Sequence, residues 1–168
     1  LQDLERWETL IDHLERRAEA LGTDDATDRL DFRRAMVQLR RLGDLTAALE
    51  SLLVLVPSQA IGSQVHDVLR ELAVAPMTTD ETRSRIVAKL TEHFHVHEDR
   101  LGRAALLEVK SQFATPGMNR AHLLLEAAGL VVAEAGEIEE DGLHLRLRAF
   151  GLYADALREV PTSAVTLS

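Results

Sequence analysis

The stretch Arg120-Ala-His-Leu-Leu-Leu-Glu-Ala-Ala-Gly-Leu-Val-Val132 changes its hydrophobic period part-way along, and the fold turns on that change. Before it, Thr115 is a natural cap and Pro116 suits a first helical position, so the spacing predicts a helix over residues 116–128 that stops at Gly129. After the glycine, Leu130-Val131-Val132 reads as a strand. Residues 136–142, Gly-Glu-Ile-Glu-Glu-Asp-Gly, read as a loop, and Leu143-His-Leu-Arg-Leu-Arg148 alternates as a second strand with three leucines on one face. Together they predict a β-hairpin. A last helix is expected over 149–160, carrying Phe150, Leu152, Tyr153 and Leu157, with a loose tail over 161–168.

Working back from Thr115, a helix is expected near 99–113 with Leu101, Ala105, Leu106, Val109 and Phe113 turned inward. A brief extended stretch, His95-Val96-His97, separates it from a helix built on Ile86, Val87, Leu90 and Phe94. That helix opens at Thr78-Thr79-Asp80-Glu81, where Thr78 and Glu81 have the spacing of a capping box. Ala75-Pro76-Met77 is the best boundary in the chain.

Residues 1–75 read as a bundle of about four helices. Leu4, Trp7, Ile11, Leu14, Ala18 and Leu21 fall at spacings of three and four and draw one stripe along the first. Leu30, Phe32, Met36, Leu39 and Leu42 mark the second. The third runs to about Val56, and Ile61, Val65, Val68, Leu69 and Leu72 mark the fourth. Gly22, Gly43 with Asp44, and Pro57 supply the turns. The expected fold class is therefore mainly α, a helical bundle followed at residues 78–160 by a domain with a small hairpin.

With 168 residues, 46% hydrophobic and 28% charged, the chain has the material for a real core. The absence of cysteine excludes disulfides, thiolate-ligated zinc and iron–sulfur clusters. No apolar run approaches a membrane span, and no signal peptide is evident, so the chain reads as cytoplasmic.

The order helix, short extended stretch, helix, tight turn, helix and hairpin over residues 78–148 resembles the winged helix (winged helix-turn-helix) superfamily. The phrase Leu125-Glu-x-x-Gly-Leu-Val131 is similar to one that many bacterial regulators carry. The resemblance implies a helix over 116–128 that enters the DNA major groove. Thr115, Asn119 and Arg120 would then lie nearest the bases. Arg100, Arg103 and Lys110 would meet phosphates, with Arg146 and Arg148 on the hairpin. Glu137, Glu139, Glu140 and Asp141 argue against this, because they set four carboxylates at the hairpin tip where phosphates would lie. The net charge of -9 points the same way.

Two partner classes therefore stand at this stage. One is double-stranded DNA, for a transcriptional regulator or an accessory subunit of a DNA-associated complex. The other is a protein, for an adaptor whose winged helix does not bind DNA. The stripe Leu4, Trp7, Ile11 and Leu14 is the candidate seam for a protein partner or a homodimer.

His93, His95 and His97 would share one face of a strand and meet a metal there. On a helix, only His93 and His97 are neighbours. No phosphate loop, nucleophile triad or dinucleotide fingerprint occurs, so neither a cofactor nor catalysis is expected.

Overall fold

A computed structural model describes residues 2–21, 25–137 and 142–160. They form α1 (Gln2–Leu21), α2 (Asp25–Val37), a π-helical turn (Gln38–Leu42), α3 (Leu45–Leu55), α4 (Gly62–Val74), α5 (Asp80–Val96), α6 (Arg100–Phe113), α7 (Met118–Glu137) and α8 (Gly142–Glu159). There is no strand among the described residues. The chain divides into two compact units, Leu1–Lys89 and Leu90–Ser168. The turn at Ala75-Pro76-Met77 lies between α4 and α5.

In the first unit, successive helices α1, α2, α3 and α4 pack each on the next. Leu49, Leu52, Leu55, Val65 and Leu69 are buried in its core, each worth about 1.5–3 kcal/mol of transfer free energy. Arg34 on α2 ties three helices, reaching Glu15 on α1 at 3.2 Å and Ser51 on α3 at 3.4 Å. The π-helical turn that continues α2 ends at Gly43, whose φ of 69° is the left-handed conformation that glycine takes without strain. Asp44 then caps α3, its carboxylate accepting the Ala47 N–H at 3.0 Å.

The start of α5 corrects one expectation by a single residue. Thr79 is the cap, its hydroxyl oxygen accepting the Thr82 N–H at 3.2 Å. The Thr78 hydroxyl donates instead to the Leu72 carbonyl at 2.6 Å. Arg83, one turn into α5, donates to the Ala73 and Thr78 carbonyls and so satisfies the C-terminal end of α4.

In the second unit α6, α7 and α8 pack in succession. Their core holds Leu107, Leu124, Val131, Leu145 and Leu152, interleaved with alanines such as Ala121, Ala128, Ala149 and Ala156. Small residues at these positions let the helices approach closely, and Gly142 lies against the backbone of Ala135, where an added Cβ would stand 3.0 Å from its carbonyl oxygen. α5 ends in a Schellman motif, with Glu98 left-handed at φ 52° and the Asp99 N–H donating back to the Phe94 carbonyl at 3.0 Å. Asp99 at once caps α6 by accepting the Gly102 N–H at 2.7 Å.

The β-hairpin, and with it the wing, is overturned. Leu130-Val131-Val132 lies inside α7, and Leu143 to Arg148 forms the first turns of α8. Gly129 does not stop the helix. One glycine costs about 1 kcal/mol against alanine, whereas the buried set Leu124, Ala127, Ala128, Val131 and Ala135 continues through it at helical spacing. α5 reaches Val96, so His95-Val96-His97 is the end of a helix and its first turn rather than an extended stretch. Phe113, expected inward, is exposed. Glu137 is helical, while Glu139, Glu140 and Asp141, the rest of the expected wing tip, lie outside the described residues, as do Gly22 and the tail from residue 161.

Candidate functional site

The basic residues singled out for DNA are spread over the second unit, and several meet carboxylates of their own chain. Arg100, at the start of α6, pairs with Glu137 and, at 3.6 Å, with Glu134, both near the end of α7. The hydrogen bond it donates to Glu137 is the main cause that holds its guanidinium protonated above the ordinary range. Arg120 sits at the other end of the same helix pair. It donates to the Ser111 carbonyl at 2.9 Å, to the Ala114 carbonyl at 3.4 Å and to Glu159 at 3.1 Å. Arg120 therefore caps the end of α6 and ties it to the end of α8.

α6 spans about 20 Å, so Arg100 and Arg120 do not form one patch. Arg148 pairs with Glu108 across α8 and α6. Arg103 and Lys110 are half-buried on α6, Thr115 and Asn119 are exposed around the start of α7, and Arg146 is exposed on α8.

The other candidates are placed as follows. Leu14 is buried within the first unit, and Trp7 and Ile11 are half-buried. The Arg41 guanidinium stands 5.0 Å over the Trp7 ring. Leu4 lies outside the described side chains. His93 and His97 are neighbours with ring centroids 4.4 Å apart, as the helical alternative requires, and the alternation that would have grouped all three histidines is absent. No group of three metal-ligating side chains occurs among the described residues. The first unit has an open depression of about 420 Å³ beside Arg29, Phe32, Arg33, Ala60, Ile61 and Gln64, a lining without carboxylate, histidine or hydroxyl.

The most distinctive surface is one that sequence reasoning missed. Leu143, Leu147, Phe150 and Leu157 on α8 are 70%, 63%, 73% and 72% exposed. At 100° per residue they fall, with Ala154, inside an arc of about 80°. On α7, Leu125, Gly129, Val132 and Gly136 are exposed along a second arc. The residues that reach α6, Arg148 on α8 and Arg120 and Glu134 on α7, lie on the opposite flanks. Both arcs thus open on the side of the α7–α8 pair that faces away from α6. The signal was the spacing 143, 147, 150, 157, which a strand ending at Arg148 cuts in two.

No protein-family model matches the chain, nor does any curated protein or solved structure.

Proposed function

We propose that this chain is a helical protein-interaction module that docks another polypeptide surface on the α7–α8 face. The observation that carries the reading is the row of four large apolar side chains on α8, all more than 60% exposed. Scattered exposed leucines are normal on a monomer. A contiguous stripe about four turns long, joined by a second stripe on the neighbouring helix, marks an interaction surface. No described helix is long and apolar enough to cross a membrane.

DNA binding has less support in the same geometry. The wing that would flank the groove is absent among the described residues. Arg100, Arg120 and Arg148 already face carboxylates.

The test is to replace Phe150 with a photo-crosslinking phenylalanine analogue in the full chain, irradiate it in the cell and identify adducts by mass spectrometry. A covalent polypeptide adduct at Phe150, lost when Leu147 is changed to Glu, is the expected result. Absence of any polypeptide adduct, with efficient labelling of solvent-derived quenchers, overturns the reading.

A further inference from the structure

We infer that the polypeptide on this face is a second copy of the chain, packed by a two-fold axis parallel to the α7–α8 pair so that α8 of each copy lies on α7 of the other. The inference rests on the interaction reading above and names its partner. It comes from the way the two arcs complement each other. The α8 arc is a ridge of large side chains, with Leu143, Phe150 and Leu157 spaced by seven. The α7 arc holds residues without bulk at the same spacing, Gly129 and Gly136. An added Cβ on either glycine would meet nothing within 4 Å.

Each exposed glycine weakens its helix by about 1 kcal/mol relative to alanine and gives nothing back within the chain. Each gives room for a knob from outside.

The heights agree. The close approach of Gly142 to Ala135 sets the register of the antiparallel pair. At about 1.5 Å per residue, Phe150 lies about 12 Å further along α8. That is the level of α7 between Leu125 and Gly129. Leu143 falls between Val132 and Gly136 by the same counting. A two-fold axis parallel to the helices preserves height, so the partner's Phe150 arrives between Leu125 and Gly129 and the partner's Leu143 between Val132 and Gly136, as knobs enter holes.

Size fits the same occupant. Two helices about 30 Å long side by side present a face roughly 20 Å wide. That is about 600 Å², at the lower end of the roughly 600–1,000 Å² per partner that stable interfaces bury.

The experiment is sedimentation equilibrium of the full chain from 1 to 200 μM, repeated with Leu147→Glu and with Gly129→Ala/Gly136→Ala, with circular dichroism and thermal melts of each. The expected wild-type result is a dimer. Leu147→Glu should be a folded monomer. The double alanine variant should dimerise at least tenfold more weakly while its monomer melts higher, a pair of opposite shifts that a purely structural role for the glycines does not produce.

A wild-type chain that stays monomeric at 200 μM overturns the inference, as does a dimer unaffected by Leu147→Glu and the alanine pair. Should Leu147→Glu fail to fold, the alanine pair decides alone. A monomer whose Phe150 crosslinks to a different polypeptide overturns the second copy and leaves the interaction reading standing. A monomer without a polypeptide adduct overturns both.

Discussion

Gly102 and Gly129 show how one residue type serves opposite ends in the same unit. At Gly102 an added Cβ would stand 2.5 Å from the Phe94 ring and 2.6 Å from the Asp99 carboxylate. Phe94 is 1% exposed and has nowhere to retreat, and Asp99 is the cap of the helix that holds Gly102. Gly102→Ala gains about 1 kcal/mol of helix propensity but forces a repacking that costs about 1–3 kcal/mol and disturbs a cap worth about 1 kcal/mol. The clash wins, and the variant should unfold at lower urea with an unchanged slope. A midpoint equal to the wild type's would show that the Phe94 ring moves freely. At Gly129 the space is open, only the propensity operates within the monomer, and alanine there stabilises it.

Among the helices, the ends of α6, α7 and α8 meet at Glu159, whose carboxylate accepts the Gly117 N–H at 3.1 Å and the Arg120 guanidinium at 3.1 Å. The Gly117 hydrogen bond first, then Arg120, hold its pKa below the ordinary value of 4.5. A carboxyl depressed in the folded state contributes stability that is complete above the unfolded value and is lost as the pH falls through the folded one. Thermal melts of wild type and Glu159→Gln at pH 7 and pH 3 check this. The variant should melt below the wild type at pH 7 and the gap should narrow at pH 3. An unchanged gap would remove Glu159 from the acid response.

The sequence was legible where each element carries one apolar stripe and a chemical stop. Asp44, Pro57 and Asp99 mark the starts and ends of α3 and α6, and all of α1 to α6 were read as helices. It misled where a helix carries two stripes. On α8, Leu145, Ala149, Leu152 and Ala156 face the core while Leu143, Leu147, Phe150 and Leu157 face outward. The two rows interleave into the alternation Leu-His-Leu-Arg-Leu-Arg, which over six residues is also a strand. The candidate surface was lost with the second row. Gly129 reads as a stop because glycine commonly ends a helix, whereas the buried row that runs past it depends on packing against neighbouring helices that the local sequence does not show.

For the molecule taken whole, a charge of -9 repels a polyanion unless basic residues concentrate on one face. Here they do not. Arg100 and Arg120 stand at opposite ends of α6, and freeing either for a phosphate exposes Glu137 or Glu159 beside it, so each contact brings a carboxylate toward the nucleic acid. Each phosphate neutralised steepens the salt dependence of DNA binding by about 0.9 in log–log slope, and this surface offers no group of phosphates a common site. Retention of the full chain on fragmented double-stranded DNA between 20 and 300 mM salt should therefore be negligible and flat. A steep fall of retention with salt would show a basic face that the intrachain pairs do not neutralise, and would reopen nucleic acid as the partner of this helical unit.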